Sequence, residues 1–189
     1  MGVIASPQKE GNTAWTINRI LEGANEQGAE IESWHFSDLD IKPCRGCWSC
    51  KKGDNCCVVN DDMQKLYAAI EHADTIILGS PIYMGQMSAQ AKMFTDRLFA
   101  CSFPRFSPYF KENITKKRLI LVFTQGNPDA TKFQTYFDYT KDMFQLLEFD
   151  VRGVHVVAGM RNESAHERKD LYMVLRSIGA SLVLERSLE

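Results

Sequence analysis

The chain of 189 residues is 44% hydrophobic and 11% aromatic, which is the composition of a globular protein with a substantial core. Its formal net charge of −2 excludes a strongly basic surface for nucleic acid or anionic lipid. No stretch approaches the roughly 18 consecutive apolar residues of a membrane-spanning helix, and the first residues lack the pattern of a signal peptide. We therefore expect a cytoplasmic protein with no nucleic-acid or membrane partner, whose thiols are reduced or bound to metal.

Apolar runs of strand length alternate with segments of helical periodicity along the chain. The runs predict five strands, at 2–6, 29–36, 74–80, 118–124 and 151–159. The amphipathic segments predict five helices, which cover 13–27, 63–70, 87–98, 133–147 and 163–178. Strict alternation with right-handed crossovers predicts a three-layer α/β/α sandwich around a five-stranded parallel sheet of order 2-1-3-4-5. We assign residues 1–189 to a single domain with a cysteine-rich insert at 43–60.

In such a sheet, ligands bind beyond the carboxyl ends of the strands, where the strand order reverses. This places three loops at the predicted site: the first loop (6–13), the second loop (81–88) and the third loop (124–130). The first loop enters a helix N-terminus, where backbone N–H groups and the side chains of Ser6, Asn12 and Thr13 suit an anion. Gly11 gives this loop backbone freedom. The alternative is an ordinary polar turn that caps the helix.

The second loop combines a rigid residue, a small residue and two side chains suited to a flat ring. Pro81 stiffens the loop, and Gly85 lets the backbone pass close to a ligand. Tyr83 and Met84 offer an aromatic face and a polarisable thioether. The alternative is that both side chains pack against neighbouring residues. The third loop supplies further backbone donors and amides, or is simply a strand-to-helix turn.

The three segments "SPQKEGNT", "PIYMGQMSAQAKMFTDRL" and "TQG" resemble the flavin-contacting loops of flavodoxin-like, NADPH-dependent FMN reductases. The resemblance extends over nearly the whole chain, with the motifs in the family's order and spacing. It implies the flavodoxin-like fold, FMN as cofactor and NAD(P)H as co-substrate. Gln8 stands where members of the family usually carry arginine, so one positive charge near the phosphate is missing.

The resemblance also implies which residues bind FMN. The phosphate is expected at the first loop, where the residues are Ser6, Gln8, Gly11, Asn12 and Thr13. The isoalloxazine ring is expected against the second loop, at Pro81, Ile82, Tyr83, Met84 and Gly85. The third loop is expected to close the other side of the ring with Thr124, Gln125 and Gly126. Because the flavin carries the chemistry, we predict no catalytic side chain, and the four histidines are interpreted as structural or surface residues.

Five of the six cysteines lie between residues 44 and 57. Cys44, Cys47, Cys50 and Cys56 have the spacing C-x2-C-x2-C-x5-C, which favours a [4Fe–4S] cluster because short spacings aim successive thiolates at one centre. A zinc site usually has two C-x2-C pairs separated by a longer insert. A reduced cysteine-rich loop also fits the pattern, and so does a disulfide such as Cys47–Cys50 or Cys50–Cys56.

This cysteine pattern resembles the compact motif of the iron–sulfur flavoproteins, a branch of the same family. The resemblance implies electron transfer between a cluster and FMN, typically across the subunits of an oligomer, so we expect a homodimer or homotetramer. Cys57 departs from the pattern and is either a substitute ligand or no ligand. Cys101 is assigned to the core. The aromatic segment 101–115 either covers the flavin edge, forms a subunit contact or packs on its own domain.

The sequence therefore predicts an FMN-dependent oxidoreductase that transfers electrons between a reductant, FMN and a [4Fe–4S] cluster. Its electron donor and acceptor are small molecules or proteins. One alternative is an NAD(P)H-dependent flavin or quinone reductase without a cluster. Two further alternatives are a non-enzymatic electron carrier and a thiol-based redox sensor.

Overall fold

The computed structural model describes residues 1–52, 57–101 and 117–186. The strands are β1 (Gly2–Ile4), β2 (Ser33–His35), β3 (Thr75–Tyr83), β4 (Gln86–Met87), β5 (Arg118–Thr124) and β6 (Asp150–Val157). The helices are α1 (Asn12–Glu26), α2 (Met63–His72), α3 (Ala89–Arg97), α4 (Gln134–Leu146) and α5 (Lys169–Arg186). The predicted ligand Cys56 and residues 102–115 of the aromatic segment lie outside the described residues. No helix in the described ranges is long and apolar enough to span a membrane.

Five strands form one parallel sheet in the order β2-β1-β3-β5-β6, and β4 pairs antiparallel with the end of β3. With β4 set aside, this is the predicted order 2-1-3-4-5, and the flavodoxin-like α/β/α fold is confirmed. Phe94, Phe137 and Phe144 belong to the hydrophobic core on one face of the sheet, which α2, α3 and α4 cover. Ile17 and Leu175 belong to the core on the other face, under α1 and α5.

Several predicted elements were wrong in extent. The first strand ends at Ile4 and not at residue 6. The second strand is only Ser33–His35, because its neighbour β1 offers just three residues for pairing. The final helix begins at Lys169 and not at 163, since Ser164 and Glu167 form a capping box that starts a separate 3₁₀ turn. Part of the second loop is not a loop: β3 continues to Tyr83 and turns back into β4.

A buried ion pair closes the base of the cysteine-rich insert. The carboxylate of Asp61 accepts hydrogen bonds from Arg97 Nη1 at 2.6 Å and Nη2 at 3.0 Å. It also accepts the backbone N–H of Lys42 at 2.8 Å, and Arg97 Nη1 donates to the carbonyl of Lys42 at 2.8 Å. Both charged side chains are 0% exposed. The chain on either side of the insert is therefore tied to the C-terminal end of α3.

We call Lys42, Asp61 and Arg97 the insert clasp. Neighbouring groups support it. The hydroxyl of Tyr67 donates to the carbonyl of Arg97 at 2.9 Å. Burial alone would raise the pKa of Asp61, but hydrogen bonds from Arg97 and from the Lys42 N–H outweigh it and lower the pKa. Asp61 therefore stays ionised beside the guanidinium, as a buried pair requires.

Replacing Asp61 with asparagine should lower the free energy of unfolding by about 3–5 kcal/mol, because the guanidinium of Arg97 is left buried without its counter-charge. The contribution of the carboxylate is present above its unfolded pKa, about 3.9, and is lost as the pH falls through the lower folded pKa. Urea denaturation at neutral pH and between pH 5 and 2 measures both effects.

Asp62→Asn is the matched control, since Asp62 is the adjacent carboxylate and pairs with the largely exposed Lys65. This change should cost less than about 1 kcal/mol. Equal destabilisation by the two substitutions would contradict the role assigned to the insert clasp.

Candidate functional site

The start of α1 has the features of an anion site. Gly11 precedes the helix in an extended conformation, and no described side chain caps the helix start. The first turn contains no acidic residue. Backbone N–H groups at an uncapped helix start carry partial positive charge, so they favour a bound anion. A side chain at position 11 would lie 3.0 Å from the side chain of Gln8, so glycine keeps this turn tight.

The first and third loops are joined directly. The hydroxyls of Thr13 and Thr124 are 2.7 Å apart and form a hydrogen bond, and both residues are buried. Ser6 is buried in the same region, and its hydroxyl accepts the backbone N–H of Gln8 at 3.2 Å. Residues 111 positions apart in the chain therefore meet at one edge of the sheet, as the parallel topology predicted.

The second loop is a tight β-hairpin. Met84 and Gly85 have positive φ angles of 50° and 81° between the paired residues Tyr83 and Gln86. Positive φ at both central residues is the requirement of a type I′ turn, which explains the glycine. The side chain of Tyr83 is 47% exposed and that of Met84 is fully exposed. The hairpin thus leaves an aromatic ring and a thioether at its tip, where an apolar ligand could contact them.

Two buried serines attach this hairpin to Ala5, the residue directly before the first loop. The hydroxyl of Ser80 accepts the backbone N–H of Ser88 at 2.9 Å, and the hydroxyl of Ser88 donates to the carbonyl of Ala5 at 2.6 Å. Ser88 also caps α3 by accepting the N–H of Ala91 at 3.1 Å. These residues hold the second loop in place but were not singled out from the sequence, although a serine before a helix is a capping signal.

Gln125 in the third loop is buried and has one acceptor without a partner in the described part of the chain. Its Nε2 donates to the carbonyls of Asn127 at 3.2 Å and Asp129 at 2.6 Å. Because both neighbours are acceptors, the orientation of the amide is fixed. Its buried Oε1 accepts no hydrogen bond. Such an acceptor fits a ligand that carries an N–H donor, because an unpaired buried acceptor is costly.

Two further segments, which the sequence did not indicate, reach the site. The ring of His35, at the end of β2, is 3.2 Å from the carbonyl of Gln8, and Lys9 pairs with Asp38. The segment 158–168, which follows β6, contributes the N–H of Ala165 to the side chain of Asn12 at 2.7 Å. The signal for both was topological: every parallel strand ends at this edge.

The cysteines of the insert have different environments. Cys44 and Cys47 are exposed, and Cys50 and Cys57 are half-buried. Hydrogen bonds from the side chain and backbone of Ser49 lower the pKa of the Cys47 thiol, whereas burial raises that of Cys50. Within residues 1–52, 57–101 and 117–186, no three cysteine, histidine or acidic side chains are gathered as a metal site requires. The described thiols therefore do not form a preassembled cluster site.

Cys101 is half-buried and packs against the hydrophobic core under α2, α3 and α4, in agreement with its assignment. The ring of His35 is hydrogen-bonded to the hydroxyl of Ser37, and that of His166 to the hydroxyl of Ser164. His72 and His166 are exposed, and burial lowers the pKa of His155.

Comparison with known proteins adds sequence relatives to this geometry. A sequence model of the NADPH-dependent FMN reductase family matches residues 1–136, which contain all three loops. An iron–sulfur flavoprotein of Methanocaldococcus jannaschii is 40% identical over 97 residues, covering 51% of this chain and 50% of that protein. An iron–sulfur flavoprotein of Methanosarcina thermophila is 38% identical over 96 residues, covering 51% of this chain and 50% of that protein. The chain spans about half the length of the curated relatives that it matches.

Solved structures agree on the fold. An NAD(P)H:quinone oxidoreductase from Methanothermobacter marburgensis superposes with a TM-score of 0.75 at 14% identity, covering 96% of this chain and 94% of that one. An FMN-dependent NADH-azoreductase from Bacillus anthracis, solved in complex with FMN, superposes with a TM-score of 0.64 at 14% identity, covering 96% of this chain and 98% of that one. At these identities the likeness shows the fold alone. The match over residues 1–136 shows more: the chain belongs to the NADPH-dependent FMN reductase family.

Proposed function

We propose that this chain is an FMN-dependent oxidoreductase that takes reducing equivalents from NAD(P)H and passes electrons to a small-molecule or protein acceptor. The observation that carries the proposal is the family match over residues 1–136, because this range contains all three loops. FMN bound there would accept a hydride and release electrons one or two at a time. The task of the protein is then to bind and orient the cofactor.

The first loop supplies the phosphate site of this proposal. The uncapped start of α1 offers backbone donors, and the hydroxyl of Thr13 lies at the junction with the third loop. Gln8 brings no charge, and Lys9 is engaged by Asp38. Phosphate binding therefore rests mainly on backbone donors and hydroxyls.

The second and third loops supply the ring site. The exposed side chains of Tyr83 and Met84 offer an apolar surface to one side of the isoalloxazine. Gln125 supplies a polar contact, since its unpaired Oε1 is suited to accept a hydrogen bond from the N–H group of the ring. The residues present thus fit FMN at both its phosphate and its ring.

The purified protein should contain FMN, and the flavin should be bleached by NADPH or NADH under anaerobic conditions. Thr13→Val keeps the volume of the side chain but removes its hydroxyl. We expect about tenfold weaker FMN binding, equivalent to about 1.4 kcal/mol, because a buried hydroxyl at the proposed phosphate site, hydrogen-bonded to that of Thr124, is lost. Quenching of flavin fluorescence measures the affinity, and riboflavin, which has no phosphate, should be affected much less.

Thr16→Val is the control, because Thr16 lies one turn further along α1 and its hydroxyl bonds to the carbonyl of Asn12. It should leave FMN affinity unchanged. A purified wild-type protein that neither contains nor binds FMN would overturn the proposed function.

We also propose that Cys44, Cys47, Cys50 and Cys56 bind a [4Fe–4S] cluster. Their spacing and the names of the sequence relatives support this assignment. The lowered pKa of Cys47 favours its thiolate, which is the form that ligates iron. Three of the four proposed ligands, Cys44, Cys47 and Cys50, lie in the described residues, and cluster binding would couple to the folding of the insert.

Protein purified without oxygen should contain about four iron and four sulfide atoms per chain, as a [4Fe–4S] cluster requires. Cys47→Ala should remove both while FMN remains bound, whereas Cys101→Ala, a thiol outside the insert, should remove neither. Iron, sulfide and flavin analyses check these outcomes. Anaerobically expressed protein with FMN but no iron would favour a cluster-free reductase or a thiol-based sensor.

Self-association belongs to the same proposal, as a homodimer or homotetramer in the cytoplasm. Apolar side chains exposed on α5, namely Met173, Val174 and Leu184, support an interface between chains.

A further inference from the structure

The segment 158–168 is fixed against the first and third loops. The N–H of Gly159 donates to the carbonyl of Asn127 at 2.9 Å, and that of Met160 donates to the carbonyl of Gln125 at 3.1 Å. The N–H of Ala165 donates to the side chain of Asn12 at 2.7 Å. Gly159 has a φ of 84°, which lets the chain turn directly after β6. This segment is therefore a fourth wall of the site.

The side chain of Arg161 lies against Gly126 in the third loop. A Cβ atom at position 126 would lie 2.7 Å from Arg161 Cγ and 2.9 Å from Arg161 Nε. The aliphatic part of the arginine thus occupies the space that a side chain at 126 would need. Glycine at this position lets a guanidinium group reach the third loop, where the proposed ring site lies.

The charge of Arg161 is uncompensated in the described part of the chain. Arg168, in the same segment, pairs with Asp170, and Lys9 on the first loop pairs with Asp38. No described acidic side chain forms an ion pair with Arg161, and its side chain is exposed. Arg161 is therefore an available cation beside the third loop.

We propose that Arg161 is a positioning residue whose positive charge stabilises the reduced, anionic form of the flavin ring; this inference rests on the proposed function. Uptake of two electrons and one proton converts the neutral oxidised ring into an anion. A cation beside the ring interacts more strongly with that anion than with the neutral ring. Arg161 therefore favours electron uptake from NAD(P)H without contacting the transferred hydride.

The test compares the flavin midpoint potential of the FMN-loaded protein with those of Arg161→Gln and Arg161→Lys. Reductive titration with dithionite and a reference dye gives the potential, and fluorescence quenching gives the affinity for oxidised FMN. Arg161→Gln should bind oxidised FMN within about twofold of wild type but reduced FMN about tenfold more weakly. For a two-electron couple this lowers the potential by about 30 mV. Arg161→Lys should restore most of the loss, because it keeps the charge.

Lys169→Gln is the control for net charge, since it removes one exposed cation at the start of α5. It should leave the potential unchanged. An unchanged potential in Arg161→Gln would overturn the inference while the proposed function stands. Weaker binding of FMN but not of riboflavin by Arg161→Gln would also overturn it, because the arginine would then act on the phosphate. A raised KM for NADPH as the sole effect of Arg161→Gln would overturn it as well. Wild-type protein without flavin would overturn both.

Discussion

The parallel orientation of the sheet is the constraint on which the site depends. All five strands run in the same direction and therefore end at the same edge, so loops far apart in sequence meet there. The hydrogen bond between Thr13 and Thr124 is the most direct expression of this constraint. The segment after β6 obeys the same rule, which brings Ala165 to Asn12 and Arg161 to Gly126. The site therefore has four walls because the sheet is parallel.

Buried polar contacts then fix each wall. Ser80 and Ser88 attach the hairpin to Ala5, directly before the first loop. Ser88 also caps α3, and the same helix ends at Arg97 in the insert clasp. Nine residues of helix span roughly 13 Å, so a single rigid element joins the proposed ring site to the base of the cysteine-rich insert. Displacement of the insert base would have to move α3 or break a buried ion pair. Helix α3 thus limits how far the base of the cysteine-rich insert can move relative to the proposed ring site.

The chemical character of the site follows from what these walls contain. They offer backbone N–H groups, hydroxyls, one unpaired amide oxygen, exposed apolar side chains and one available guanidinium. Such groups are able to bind, orient and polarise a ligand. Such a set suits a reaction whose reactive atoms belong to a cofactor. The proposed role of Arg161 extends the same logic from binding to the energy of the reduced state.

The sequence by itself determined the fold class and the first and third loops, because hydrophobic periodicity and strand-to-helix turns are local signals, and the general rules for crossovers then gave the strand order. It also determined the cysteine spacing, which needs no structure to be recognised. It did not determine the insert clasp, since nothing local distinguishes Asp61 and Arg97, 36 positions apart, from solvent-exposed charges until the chain between them is folded. The hairpin at Met84 and Gly85 and the late start of α5 likewise depended on pairing and capping partners. Only the tertiary structure placed Arg161 on Gly126, because that contact joins segments whose proximity is set by the parallel sheet and by no local pattern.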